Sequence, residues 1–354
     1  MRRQLLDPVG ELDDVDVVGR LCGVQAQVPA AAALAVRVRQ RRSPLAGVDS
    51  ALEDRRLVRT WAMRGTLHLL RPNEAGAYLS LVAAARSWEK GSWQKAFGVT
   101  PEEMVALVEA VAQALDGRVL SREELVAAVS EIIGRADLET ELRSGWGAVL
   151  KPVAWQGWLC HATSDGNRVS FARPDQWLTD WAGVPEPQEA ARIVIPAYLR
   201  AFGPASPERF DAWLTRGASK KAAVRSWFAD LDDRLATVEV DGKPGFLLAD
   251  DVDDLGGTAP TQIVRLLPAF DQYVLGPSTK AQEIIATSHR AEVSRAAGWI
   301  APVVVAAGRV AGTWEINADT VQVRLFEDAG PIPGDALDAE IARIETLMIT
   351  QPRT

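Results

Sequence analysis

Residues 57–71 read LVRTWAMRGTLHLLR, two β-branched and apolar runs separated by Met63-Arg64-Gly65. Such runs on either side of a turn-like break predict a two-stranded hairpin. Working back from it, GVDSALEDR (47–55) reads as a short helix. PAAAALAVRVRQRR (29–42) reads as another, with Pro29 in the tolerated first turn. DDVDVVGRL (13–21) offers Asp caps and then apolar residues at helical spacing. Three helices followed by a hairpin is the order of a winged helix-turn-helix module.

Working forward, the order recurs. PEEMVALVEAVAQAL (101–115), SREELVAAVSEII (121–133) and GWGAVLKPVAWQGWL (145–159) are helical candidates, followed by CHATSDGNRVSF (160–171) with its Ser-Asp-Gly-Asn turn. A third copy runs through EPQEAARIVIPAYLRAF, SPERFDAWL and KKAAVRSWFADL to RLATVEVDGKPGFLLAD (234–250), where Asp-Gly marks the turn. Ser206 before Pro207 is an N-cap signal. These copies share an order of elements rather than letters.

After about Thr258 the pattern changes to β-rich runs: IVRLLPAFDQYVL (263–275), GWIAPVVVAAGRVAGTWEI (298–316) and TVQVRLF (320–326). A small antiparallel barrel or curled sheet is expected there, closed by a terminal helix over ALDAEIARIETLMI (336–349). The predicted class is α+β, with three tandem modules at 1–98, 99–183 and 184–257 and the barrel with its helix at 258–354.

Composition narrows the function classes. The chain has 354 residues, 47% of them hydrophobic and 24% charged, which excludes collagen-like and disordered chains. Two distant cysteines, Cys22 and Cys160, give neither a disulfide framework nor a Cys-based zinc site. His68, His161 and His289 stand apart from one another, so no metal is expected. No apolar run approaches the ~20 residues of a membrane span. The N-terminus turns acidic before any apolar core, so a cytoplasmic globular protein is expected. The net charge of −8 argues against uniform coating of nucleic acid but leaves room for a local basic surface. GxSxG, GxGxxG and Walker A patterns are missing, and no cofactor is expected.

What remains is Gln25-Ala26-Gln27, lying between the end of one helical run and Pro29. In extended backbone the two amides point to one side; in a helix they would splay by about 200°. Amides in such a place either satisfy loop backbone groups or serve chemistry that needs dipoles rather than a base.

Together, LCGVQAQVPAAAALAVRVR (21–39), RTWAMRGTLHLL (59–70), LLPAFDQYVLG (266–276) and GWIAPVVVAAGRVAGTWE (298–315) resemble the AlkZ/YcaQ group of winged-helix DNA glycosylases. The resemblance runs from about residue 12 to 325, and the Gln-x-Gln pair is similar to the AlkZ branch. It implies tandem winged helices and a C-terminal β-barrel around a concave DNA channel. It also implies excision of N-alkylated purines from double-stranded DNA, including bulky natural-product adducts and interstrand crosslinks, in repair or self-resistance, with Gln25 and Gln27 at the active site.

Further candidates for DNA contact follow. Arg64 sits at the hairpin turn, flanked by Arg59, Thr66 and His68. Lys220, Lys221 and Arg225 open the recognition helix expected in the third module, whose N-terminus favours anions. Lys280 lies in a loop after AFDQY, and the run Arg37, Arg39, Arg41 and Arg42 is a candidate phosphate surface. Asp271 is open to two readings, a catalytic carboxylate or a structural hydrogen-bonder. With no lysine beside the glutamines, no Schiff-base step is expected. Three unlike modules in one chain point to a monomeric enzyme. The alternatives are a non-catalytic winged-helix regulator, which would show a dimerisation helix, and a protein that sequesters the alkylating drug itself.

Overall fold

The hairpin at the centre of the sequence reading is present. In the computed structural model, strands Val58–Trp61 and Leu67–Leu70 pair antiparallel, with Thr60 opposite His68, around a single 3-10 turn at Met63–Gly65. Arg64 and Gly65 both adopt positive φ there, 58° and 69°. The structure describes residues 1–42, 46–134, 138–145, 147–163, 168–317 and 320–349. Among these, no helix is long and apolar enough to cross a membrane.

The chain forms two compact units interleaved in sequence. One comprises Met1–Ser50, Pro196–Trp213 and Asp233–Thr354, the other Ala51–Ile195 and Leu214–Asp232.

In the second unit the hairpin continues into an antiparallel sheet in the order 67–70, 58–61, 160–161, 170–172, 120–121. Two of its helices begin with reciprocal caps written in the sequence: Thr100 with Glu103 opens Pro101–Ala114, and Ser121 with Glu124 opens Arg122–Ile133. The helix expected over 145–159 is confined to Lys151–Trp155. Gly147 explains the late start, because its φ is 61° and a Cβ there would lie 2.3 Å from the Trp61 ring. The Ser164–Asn167 turn lies outside the described residues, although the flanking strands Cys160–His161 and Ser170–Ala172 do pair.

The first unit opens with helix Asp14–Arg20, whose N-cap Asp13 accepts the Asp16 amide, and Pro29 begins helix Pro29–Arg37. Ser206 caps helix Pro207–Thr215 by accepting the Arg209 amide at 3.3 Å. The Asp241-Gly242 turn joins strands Leu235–Val240 and Lys243–Leu248, both turn residues having the positive φ of a tight hairpin.

The C-terminal region departs from expectation in two ways. The sheet is open rather than a closed barrel: four antiparallel strands run in the order 320–325, 309–317, 303–306, 264–267. The terminal helix, Gly334–Ile349, ties down both outer strands instead. Its Glu340 accepts the Leu266 amide and its Glu345 accepts the Val321 amide, each at 3.2 Å. Edge amides that already have carboxylate partners need no strand-to-strand closure. Second, the run 263–275 is not all strand. After Val264–Leu267 the chain turns into a short helix, Gln272–Leu275, because Asp271 accepts the Tyr273 amide and starts it. The core beneath joins Leu34 and Val38 to Leu266, Val304 and Ile344.

Candidate functional site

The glutamine pair is positioned by the end of helix Asp14–Arg20. Cys22 and Gly23 both take positive φ, 60° and 87°, which turns the chain into the two-residue strand Val24–Gln25. The strand ends at Gln25, and the chain bends at Gln27 and Val28, the latter being the N-cap before Pro29. Ala26 is buried, and the amides of the flanking Gln25 and Gln27 meet. The Gln25 Nε2 donates to the Gln27 Oε1 at 2.7 Å. Gln25 is 5% exposed, whereas Gln27 is exposed to solvent. A buried amide therefore holds an exposed one. Gln27 retains a second carbonyl lone pair and both amide protons for a water or a ligand, and the pair remains neutral across the whole working pH range.

Asp271 resolves to its structural reading. Its two oxygens accept from Arg39 Nη2 and Nη1 at 2.7 and 2.8 Å, and both side chains are fully buried. Arg39 also donates to the Gln4 and Ala35 carbonyls. This corrects the reading of the arginine run as a phosphate surface for Arg37 and Arg39, while Arg42 remains exposed. Arg37 and Arg39 point inward, and Arg41 pairs with Glu11 at the surface. Lys280 is exposed in its loop, its amide donating to the Ser278 hydroxyl at 3.3 Å. His289 stacks on Phe326 and pairs with Glu292 and Asp328; the Glu292 hydrogen bond raises its pKa.

In the other unit, the hairpin candidates have unequal settings. Arg64, Thr66 and Arg59 are half-buried. The Thr66 hydroxyl donates to the Met63 carbonyl at 3.0 Å and so braces the turn. His68 is wholly buried, its Nδ1 3.0 Å from the Thr66 carbonyl, which makes Nδ1 the protonated nitrogen. Burial first, and the Arg64 charge second, push its pKa down to about 3. His161 is buried against Trp61 and Phe171, and burial again holds it well below the usual imidazole range. Trp61 and Met63 are core residues. Lys220, Lys221 and Arg225 are all exposed at the start of helix Lys221–Ala229. The turn before it is fixed by the Thr215 hydroxyl, which accepts the Ala218 and Ser219 amides.

Two features escaped the sequence reading. One is the Arg39–Asp271 pair. The other is Lys151, which lies beside the hairpin tip: the Cβ position of Gly65 is 3.9 Å from its Nζ. Its signal was a lone cation in the otherwise apolar run AVLKPVAW.

Residues 18–347 match the family model described as DNA glycosylase AlkZ-like. An interstrand DNA cross-link repair glycosylase of Streptomyces sahachiroi is 50% identical over 345 residues, covering 97% of this chain and 93% of that protein. The solved structure of Streptomyces sahachiroi DNA glycosylase AlkZ matches with a TM-score of 0.94 at 48% identity, over 99% of this chain and 95% of the other. The chain belongs to the AlkZ-like DNA glycosylases, hydrolases of the N-glycosidic bond between base and sugar.

Proposed function

We propose that this chain is a monofunctional DNA glycosylase, acting as a monomer, that removes N7-alkylated purines from duplex DNA. Bulky natural-product adducts and interstrand crosslinks are included, in keeping with the name of its Streptomyces sahachiroi relative. The observation that carries this reading is the Gln25–Gln27 hydrogen bond, which aims one exposed amide from a buried support.

The residue type suits the leaving group. An N7-alkylpurine is already cationic, so it departs with the C1′–N9 electron pair as a neutral base and needs no general acid. As that bond breaks, positive charge develops on the sugar, and water supplies the new C1′–O bond while its proton passes to solvent. Amide carbonyls are preorganised acceptors for such charge and can hold the water. They are too weakly basic to take the proton outright, which limits the enzyme to labile, cationic bases. Gln27 contacts water and sugar in this reading, and Gln25 orients it.

We also hold segments 1–98, 99–183 and 184–257 to be winged-helix modules, with Arg59, Arg64, Thr66, Lys220, Lys221, Arg225 and Lys280 serving DNA binding; His68, expected among them, is wholly buried and presents no surface to DNA. Incubation with duplexes carrying N7-methylguanine, a bulky N7 adduct or an N7 crosslink tests the function. Alkali-labile abasic sites are expected from the first two and unhooked strands from the third. Intact DNA on all three overturns the proposal in favour of a binding protein.

A further inference from the structure

The tip of the 58–70 hairpin meets a group of side chains that are all donors. Lys151 approaches Gly65, its Cδ 3.6 Å and its Nζ 3.9 Å from the glycine's Cβ position, and Trp155 Cζ2 also lies 3.6 Å from that position. The indole Nε1–H is on the same ring edge as Cζ2, so the edge facing the tip is the one that donates. Trp155 is 7% exposed, and its Nε1 has no acceptor among the described residues. No carboxylate pairs with Lys151 among them either. The Lys151 ammonium is half-buried, and burial first, with the Arg216 charge second, lowers its pKa.

A half-buried ammonium that feels a like charge, with a sealed N–H donor alongside, is an unfavourable arrangement in the free protein. It becomes favourable when an anion supplies the acceptor oxygens and the opposite charge. We infer that Lys151 and Trp155 form, with the hairpin tip at Arg64-Gly65, a subsite for one phosphate of the DNA backbone. Gly65 gives the room: with no side chain at the tip, a phosphate oxygen can come up to the backbone between Lys151 and the indole. The contact is to phosphate, so it positions the duplex without reading its sequence. The inference rests on the reading of this chain as a DNA-acting protein, but not on the glutamine chemistry.

The test is binding of an undamaged fluorescent duplex across a salt series, using the full chain and its K151M, K151R and W155F variants. Each phosphate contact contributes about 0.9 to the slope of log K against log salt. K151M is expected to lose about one contact's worth of slope and to bind about tenfold more weakly at low salt. K151R should restore most of both. W155F keeps the ring and removes the N–H; it should weaken binding severalfold at an unchanged slope, because no charge is lost. K151M binding with the slope and affinity of the unaltered chain would overturn the subsite, as would a loss that K151R does not repair. A chain that binds DNA with these differences yet excises no base would refute the proposed function while leaving the subsite standing.

Discussion

Arg39 and Asp271, 232 residues apart in sequence, meet through two parallel hydrogen bonds of 2.8 and 2.7 Å with neither side chain reaching solvent. The pair ties helix Pro29–Arg37, and with it the glutamine segment just upstream, to the C-terminal sheet region. Removing one partner of a buried pair strands the other charge at a cost of about 3–5 kcal/mol, whereas replacing both with apolar residues is near neutral. Asp271→Ala should therefore lower the urea midpoint sharply, and Arg39→Met with Asp271→Leu should recover most of it. Denaturant titration reads both. A mild single variant would mean that the pair contributes little.

His68 and His161 set an acid limit on stability. Both are buried with depressed pKa values, so both stay neutral in the folded chain while the unfolded chain titrates near 6.5. Their contribution is complete above about pH 6.5. It is lost as the pH falls from there toward about 3, the folded value of His68. His68 adds a slope of about 1.4 kcal/mol per pH unit in that window, and His161 acts in the same direction. Urea midpoints at pH 7 and pH 5 should fall in the unaltered chain and fall less in His68→Gln. Equal slopes in the two would contradict the assignment.

Exposed cations at the start of helix Lys221–Ala229 should report as phosphate contacts. Changing Lys220, Lys221 and Arg225 together to Gln is expected to weaken duplex binding and flatten its salt dependence by up to about three contacts' worth. The loss should be the same for damaged and undamaged DNA, since phosphate contacts carry no base information. Fluorescence anisotropy across a salt series measures this. Unchanged slope would make these residues an ordinary solvated helix face.

Local signals made much of this fold readable in advance. Ser206 announced its helix because a cap and its amide lie three residues apart. The 58–70 hairpin and the Asp241-Gly242 turn were legible because their signals are local, whereas Gln25 and Gln27 were open to both an extended and a helical reading, and only their hydrogen bond in the structure brings them together. Long-range choices were not legible. AFDQYVL looks like a strand by hydrophobicity, and short apolar runs are ambiguous in this respect; the Asp271 cap decides for helix. Whether a four-stranded sheet closes depends on what covers its edges, here Glu340 and Glu345 from a helix at the far end of the chain. Arg39 reads as a surface cation in a basic run, and only the distant Asp271 explains its burial.

The central claim is that two neutral amides suffice. Single-turnover excision of N7-methylguanine from duplex DNA, with enzyme in excess, tests it most directly in Gln27→Ala and Gln25→Ala. A fall on the order of 100-fold is expected for Gln27→Ala, the scale of losing one preorganised transition-state contact. Gln25→Ala should fall less, since it acts through Gln27. Rates equal to that of the unaltered chain in both variants would contradict the account.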